Sequence, residues 1–350
     1  MKNVKKNKEN IFFGIIFIIL ICLGFLISKD YGATLDDQIY YRNGLATFNY
    51  VENIFSSIIN NQFLNIDNKD FEGWPVIFEM LLVILTQILN ITKIEDINLF
   101  AHKLNYIIFL ISLFVFAKLV KIITKSSLYS ILSIFLIILS PRIFAESFYN
   151  SRDIFFLSVF IFFSFSAYKF LENSNIKSVF LLSVFTAILF NTKILGIIPI
   201  LIFISLYLFN LIDAKFKKHK LIYFSYFLIL TNIFIYVTWP YLWGNYFNNM
   251  FKAFKDIIIA HDNMIIINYY FGDYISSATT PWHYRIIWFL ISTPLSILPL
   301  FLFALINNTN KLVKKIFNAE VDNFKMSDAL FFNIFYLLTF VFSFYLTCRF

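Results

Sequence analysis

Residues 11–28 read IFFGIIFIILICLGFLIS, a run without a single charged side chain. An α-helix rises about 1.5 Å per residue, so this run extends about 27 Å, close to the ~30 Å hydrocarbon core of a bilayer. Four lysines precede it between residues 2 and 8, as in a signal peptide, but no small-residue cleavage site follows. We therefore predict a retained first transmembrane helix that also directs insertion.

The composition of the whole chain is that of a membrane protein. Hydrophobic residues make up 59% of the 350 residues, and charged residues make up only 14%. A soluble fold of this length could not bury so much apolar surface while keeping a wetted exterior. The net charge of +8 comes mostly from lysines in short connections, which indicates membrane-flanking positions and argues against nucleic acid as a partner. Both cysteines, Cys22 and Cys348, lie in apolar runs, so no disulfide framework is implied.

Nine further apolar runs follow the first one, and none shows the ten-residue alternation of a membrane β-barrel. They lie at about 75–92, 104–120, 127–140, 154–170, 177–192, 194–212, 221–238, 285–305 and 329–348. The fold class that we predict is all-α, a polytopic transmembrane bundle of about nine to ten spans forming a single domain over residues 1–350. The last run continues to the end of the sequence, so we expect a longer C-terminal region in the natural protein.

The lysines predict the orientation of the spans. The N-terminus and the segments 215–220 and 311–325 are the most basic stretches and should be cytoplasmic. Residues 29–74, 141–153 and 239–283 then lie on the external side. Three apolar runs, at 75–92, 104–120 and 127–140, lie between the first two of these loops. Two loops on the same side of the membrane are joined by an even number of crossings, so only two of the three runs can cross. The run at 75–92 contains an acid, Glu79, and is therefore predicted to be re-entrant or juxtamembrane.

Two polar clusters stand in the first part of the predicted external side. The first is Thr34-Leu35-Asp36-Asp37-Gln38, with Arg42 close behind. Adjacent carboxylates near a membrane are costly to desolvate, so they indicate a cation, a metal or proton transfer, although a solvated acidic turn would look the same. The second cluster runs from Ser140-Pro141-Arg142 through Glu146 to Asn150-Ser151-Arg152-Asp153. It is typical either of a functional loop or of a simple loop cap.

Two more clusters follow later in the chain. Asn191-Thr192-Lys193, with Gly196, places a lysine at the external end of a span, where it either snorkels or meets an anion. The segments 238–243 (TWPYLW) and 280–285 (TPWHYR) open and close the long external loop. Their Trp and Tyr residues suit interfacial anchors, whereas His283 and Arg285 also suit a binding site.

Taken in order, these clusters resemble the membrane-embedded C-type glycosyltransferases. The nearest branch is that of the protein-mannosyltransferases and aminoarabinose transferases, which use polyprenyl-phosphate sugars. The resemblance covers about residues 11–305. It rests on the acidic pair after the first helix, Ser-Pro-Arg…Asn-Ser-Arg-Asp, Thr-Lys-x-x-Gly, Trp-Pro-Tyr-Leu-Trp and Pro-Trp-His-Tyr. The family usually has Asp-Glu where this chain has Asp36-Asp37, and these 350 residues do not include the acceptor-binding C-terminal region of longer members.

The resemblance implies an inverting transfer of a sugar from a polyprenyl-phosphate donor to a glycan, lipid or protein acceptor. It implies catalytic roles for Asp36, as the base on the acceptor, and for Asp37, which with Asp153 positions the acceptor or holds a divalent metal if one is used. No other cofactor is implied, and the expected location is the bacterial inner membrane with the site facing outward. The cations expected to bind substrate and its departing phosphate are Arg42, Arg142, Lys193, His283 and Arg285.

Two other classes of function remain open from the sequence. A transporter or lipid flippase would carry ionisable groups in the middle of spans, and here Glu79 is the only acid well inside an apolar run, whereas the other acids gather in loops. A non-catalytic relative would keep the fold but lose the chemistry, as the change from Asp-Glu to Asp36-Asp37 would permit. Consumption of a lipid-linked sugar by the purified protein separates the transferase from both.

Overall fold

The structure is a computed structural model that describes most of the chain. The backbone is described for residues 2–60, 73–213, 218–263, 266–304 and 306–307. Within these ranges, the side chains that are not described are those of residues 2–10, 35–36, 209–210, 212–213, 218–219, 257–258, 260–263 and 278. The contacts divide the chain into two units. Unit 1 comprises Met1–Glu72 and Val76–Phe165, and unit 2 comprises Gly73–Pro75 and Ser166–Phe350.

Helices make up nearly all of the described residues. Unit 1 contains six complete helices and the first part of a seventh: α1 Lys2–Ile27, α2 Leu35–Ile59, α3 Ile77–Ile88, α4 Ile94–Thr124, α5 Ser127–Ile138, α6 Pro141–Tyr149 and α7 Ser151–Glu172. Unit 2 continues from α7 with α8 Ile176–Phe190, α9 Ile197–Asp213, α10 Lys218–Thr238, α11 Tyr246–Asn263, the antiparallel strands β1 Ile267–Tyr270 and β2 Asp273–Ser276, and α12 Tyr284–Ser292.

Four of the described helical segments are long and apolar enough to cross a membrane, which confirms the all-α polytopic fold. They are Ile11–Asp30, Ile94–Thr124, Ser151–Glu172 and Lys220–Thr238. The bent pair α5 and α6 would be a fifth span if it is counted as one. This is fewer than the predicted nine to ten, because several predicted runs form shorter helices and the run at 329–348 lies outside the described residues.

Helix α3 occupies the run that was predicted not to cross the membrane. Its 12 residues reach about 18 Å at 1.5 Å per residue, well short of a bilayer core. Helix α4 and the α5–α6 pair, if the pair is counted as one span, would supply the two crossings that the predicted orientation requires.

A proline directly follows one of the predicted runs, and another proline interrupts a second run. Pro141 is the first residue of α6, where its missing N–H costs no helical hydrogen bond, and the chain bends by 68° between α5 and α6. The predicted run at 285–305 is broken, because α12 ends at Ser292, two residues before Pro294. The proline ring clashes with the residue before it and disfavours the helical conformation of that residue.

Unit 1 is built around α4. Tyr106 is fully buried, donates its hydroxyl to the Leu20 carbonyl of α1 at 2.8 Å, and stacks on Phe148 of α6 with ring centroids 4.6 Å apart. One residue earlier, the Asn105 amide donates to the Ser147 carbonyl at 2.9 Å. The same helix therefore fixes α1 and α6 through both apolar and polar contacts.

At Gly24, α1 packs closely against Tyr106 of α4. A Cβ at this position would collide with the ring of Tyr106, which has no room to move because it is buried and stacked. Gly24→Ala should therefore lower the free energy of unfolding by about 1–3 kcal/mol, as overpacking does elsewhere. Gly14→Ala is the matched control on the same helix, since nothing lies within 4 Å of a Cβ there. Unfolding of both variants in detergent measures the difference, and equal stabilities would contradict the close packing.

In unit 2, polar side chains join the neighbouring helices α8 and α10. The Ser183 hydroxyl donates to the Phe227 carbonyl at 3.2 Å. The Asn191 amide donates to the Ile235 carbonyl at 3.3 Å and to the Thr238 hydroxyl at 2.6 Å. Lipid provides no hydrophobic drive for helices to associate, so such hydrogen bonds and close packing hold membrane helices together.

Candidate functional site

Unit 1 contains a small cavity where several helices begin or end. The residues that carry its chemistry are Asp37, Tyr40, Glu79, His102, Tyr149 and Ser151. They come from the start of α2, the start of α3, the first nine residues of α4 and the junction of α6 with α7. The cavity has a volume of about 20 Å³, which holds about one water molecule. It is the size of a single hydroxyl group and does not hold a whole sugar.

The acidic pair lies in the first turn of α2. Asp37 lines the cavity, and its Oδ2 accepts a hydrogen bond from the Thr34 backbone N–H at 2.7 Å. This contact is half of a capping box, which fixes the start of the helix. The side chain of Asp36 lies outside the described residues, so its role as base stays a prediction. Arg42 is exposed and does not line the cavity.

A buried ion pair stands beside the acidic turn. The Arg152 Nε lies 3.2 Å from Glu79 Oε1, and the two side chains are only 12% and 5% exposed. The Arg152 guanidinium also sits 4.0 Å from the centre of the Tyr40 ring. A Cβ at Gly44 would come within 2.7 Å of the Glu79 Cβ, so α2 and α3 are in close contact here. The pair therefore fastens α2, α3 and α7 together at the cavity.

Sequence reasoning did not assign a site role to either partner of this pair. Glu79 entered as an acid that argued against a membrane crossing and that was weighed for a transporter, and Arg152 entered only as a member of the second cluster. One signal was available, because an acid inside an apolar run is retained only when a cation or a function accompanies it. The sequence offers several cations, however, and Arg152 lies 73 residues away along the chain.

His102 also lines the cavity, and the sequence analysis missed it. It is 4% exposed, its Nδ1 lies 3.4 Å from the Ser28 carbonyl oxygen, and its Nε2 has no hydrogen-bond partner in the part of the chain that the structure describes. A proton on Nδ1 would make the contact to Ser28 a donated hydrogen bond and leave Nε2 as an acceptor. A buried acceptor of this kind can take a proton or a hydrogen bond from a bound group.

Aromatic rings close the site on the side of α1. Tyr31 stacks on Phe148 at 4.6 Å and lies 5.9 Å from the ring of Tyr149, which itself lines the cavity. Partial burial, the neighbouring Tyr149 and Asp30 all raise the pKa of Tyr31. Its phenol therefore stays protonated at physiological pH and remains a hydrogen-bond donor.

Two predicted site residues of unit 1 have local partners instead of lining the cavity. The Arg142 Nε bonds Glu146 Oε1 at 2.8 Å one turn along α6, and the arginine side chain is 60% exposed. The Asp153 backbone N–H donates to Asn150 Oδ1 at 3.1 Å, and Asn150 donates back to the Asp153 carboxylate at 2.9 Å. Asn150 thus caps the start of α7, and Asp153 is its hydrogen-bonded partner in the first turn of that helix. Substrate contacts of Arg142 and Asp153 stay predictions.

Unit 2 brings the third cluster together with the start of the fourth. Asn191 is bonded to Thr238, and the rings of Phe190 and Trp239 lie 6.2 Å apart. Lys193 is half-buried and precedes the short 3₁₀ turn Ile194–Gly196. A Cβ at position 196 would come within 2.5 Å of the Leu189 carbonyl oxygen, so the glycine of the Thr-Lys-x-x-Gly turn is required by close packing.

The second half of the fourth cluster lies at the start of α12, also in unit 2. The His283 ring is 5.9 Å from the Tyr270 ring. Arg285 is half-buried, and its Nη1 is buried without a hydrogen-bond partner among the described residues. A buried donor without an acceptor is costly, and a bound anion would satisfy it. That is consistent with the predicted phosphate role, which stays a prediction.

Neither a metal nor a relative identifies the site. No group of three His, Cys, Asp or Glu residues in the described ranges could hold a metal ion. Searches against protein families, curated proteins and solved structures find no match for the chain. The chemistry of the site therefore has to be argued from its own residues.

Proposed function

We propose that this membrane protein transfers a sugar from a polyprenyl-phosphate donor to an acceptor at the external membrane face, with inversion. The observation that carries the proposal is the cavity of unit 1. The acidic start of α2 and the segment Tyr149–Ser151 both contribute to it. These come from two of the five sequence features that resemble the C-type glycosyltransferases, and they lie far apart along the chain.

The position of the cavity along the helices favours a transferase over a transporter. On α4 the lining residues lie between Ile97 and His102, within the first nine residues of a 31-residue helix, and on α7 the lining residue is Ser151, the first of the helix. A transport site is expected near the middle of the spans. A site at the span ends suits a donor whose phosphate lies at the membrane surface.

The chemistry that we propose begins with a carboxylate at the start of α2. Asp36 takes the proton of an acceptor hydroxyl or amine, and the freed lone pair attacks the anomeric carbon from the face opposite the lipid phosphate. The bond between the anomeric carbon and the phosphate oxygen breaks, and its electrons leave with the polyprenyl phosphate. The small cavity beside Asp37 would hold the nucleophilic group of the acceptor, since it has room for one such group.

The departing phosphate gains negative charge, and cations held in place before the reaction lower that barrier. The cations that we propose for this step in unit 2 are Lys193, His283 and Arg285. The buried, unbonded Nη1 of Arg285 supports its inclusion. In unit 1, Arg152 already binds Glu79, so its proposed part is to hold the helices around the acidic turn.

The proposal is tested with purified protein and a panel of labelled polyprenyl-phosphate sugars. We expect release of free polyprenyl phosphate and loss of the label from the lipid. Movement of intact donor across a sealed proteoliposome without its consumption would identify a flippase, and neither result would indicate a non-catalytic relative. Mass spectrometry of envelope lipids and glycans from cells with and without the protein would then name the sugar and the acceptor.

A further inference from the structure

Helix α11 exposes an apolar stripe that the rest of the described chain does not cover. Phe247 and Phe251 lie one turn apart and are 80% and 79% exposed. The opposite side of the helix packs on unit 2, because Ala253 is fully buried and the Asn249 amide donates to the Tyr241 carbonyl at 2.7 Å. The helix therefore has a fixed orientation, and its phenylalanines face outward.

The beginning of α11 lies beside the last turns of the membrane span α10. The Tyr246 hydroxyl bonds the Asn232 side chain at 3.0 Å, and the Tyr246 and Tyr236 rings are 6.0 Å apart. Asn232 precedes the end of the span, Thr238, by six residues, or about 9 Å along the helix axis. The chain leaves α10 at Thr238 and then turns back, so that the first residue of α11, Tyr246, lies at the same depth as the last turns of α10.

Two reciprocal hydrogen bonds hold this return in place. The Trp243 indole N–H donates to the Tyr236 carbonyl at 2.7 Å, and the Tyr236 hydroxyl donates to the Trp243 carbonyl at 3.1 Å. Tryptophan and tyrosine concentrate at the boundary between acyl chains and headgroups. Phe247 directly follows Tyr246, which α10 holds at this boundary. The exposed ring of Phe247 is therefore expected to contact lipid.

Charged residues border the apolar stripe. Lys252 and Lys255 are exposed on the outward side of α11, and Asp256 is exposed farther round the helix. At 100° per residue, Lys255 lies about 40° and Lys252 about 100° from Phe251, whereas Asp256 lies about 140° away. In the first eleven residues of α11, residues 246–256, lysines thus lie beside the apolar face and the one acid, Asp256, is turned away. This is the pattern of a helix that lies in the membrane interface near anionic lipid.

We infer that α11 is an interfacial helix, with Phe247 and Phe251 inserted among the acyl chains and Lys252 and Lys255 bound to anionic headgroups. Its surface extends the membrane anchoring of unit 2 beyond the spans. The inference does not depend on the proposed sugar transfer, because it uses only the position and surface of α11.

The test uses the full chain in nanodiscs, with Cys22 and Cys348 replaced by serine. A spin label is attached at Phe247→Cys, Phe251→Cys or, as the water-facing control, Asp256→Cys. Collision rates with oxygen, which concentrates in lipid, and with a water-soluble nickel chelate report the depth of each label. We expect oxygen to dominate at 247 and 251 and the nickel chelate to dominate at 256.

Other results would overturn the inference. Nickel-dominated collisions at all three positions would mean that the stripe faces water. Protection from both reagents at 247 and 251 would mean that protein, such as a second copy of the chain, covers it. Thermal unfolding of each variant confirms that the exposed substitutions leave the fold intact.

The lysines are tested by lipid composition. Adding phosphatidylglycerol to phosphatidylcholine nanodiscs should move the label at 251 deeper, and Lys252→Gln with Lys255→Gln should abolish that shift. A depth that does not respond to the anionic lipid would overturn the headgroup part of the inference.

Discussion

Replacing Glu79 with alanine is expected to cost about 3–5 kcal/mol of unfolding free energy, as breaking a buried ion pair does elsewhere. Arg152 would keep its charge in a site that leaves its side chain only 12% exposed, with its carboxylate partner removed. Its contact with the Tyr40 ring compensates for only part of that loss. Glu79→Ala should therefore unfold at markedly lower denaturant concentration in detergent, with α2, α3 and α7 loosened around the cavity.

A double-mutant cycle with Glu79→Gln, Arg152→Met and the double variant separates the pair from the single residues. Replacing Glu79 and Arg152 together by uncharged residues of similar size, Gln and Met, should restore much of the stability, because no buried charge is then left without its partner. The Arg142–Glu146 pair is the matched control, since its arginine is 60% exposed. Breaking that pair should change stability by no more than about 1 kcal/mol. Equal effects at the two pairs would contradict the burial of Glu79 and Arg152.

Hydropathy predicts the membrane spans well where a helix is long and continuous. The predicted runs at 11–28, 104–120 and 154–170 coincide with α1, α4 and α7, and each of these helices has 22 residues or more. Hydropathy overestimates the number of spans where a run is short or is broken by proline, as at Pro294, because average composition does not register a break in backbone hydrogen bonding. It also gives no sign of α2, a 25-residue helix in a segment predicted only as an external loop.

The cavity is predictable only in part, for a physical reason. A pattern of adjacent acids, as in Asp36-Asp37, is visible in the sequence because the two residues are neighbours. The pairing of Glu79 with Arg152 depends on how three helices pack, and nothing local specifies which cation meets the acid. The role of His102 could not be predicted either. A histidine inside an apolar helix gives the same sequence pattern whether its side chain packs in the core or lines a cavity.

The largest effect on activity is expected from Asp36→Asn. A general base contributes typically 10²–10⁴-fold to the rate, and the amide keeps the size of the carboxylate but cannot take a proton. Transfer from a polyprenyl-phosphate sugar should therefore fall by about that factor in single-turnover experiments, while donor binding and thermal stability stay unchanged. Asp96→Asn is the control, because Asp96 is an exposed acid in the first turn of α4 and does not line the cavity.

Asp37→Asn distinguishes the two acids. Asparagine keeps a side-chain oxygen that can accept the Thr34 N–H, so the start of α2 should survive this substitution. We therefore expect a smaller loss of rate than for Asp36→Asn, because the proposed role of Asp37 is to position the acceptor in the cavity and not to take its proton. If Asp37→Asn abolishes transfer and Asp36→Asn does not, the two roles are exchanged, and the acid that lines the cavity is the base. If both variants remain active, the base lies elsewhere, and Asp153 is the next acid to replace, even though its carboxylate accepts a hydrogen bond from Asn150 at the start of α7.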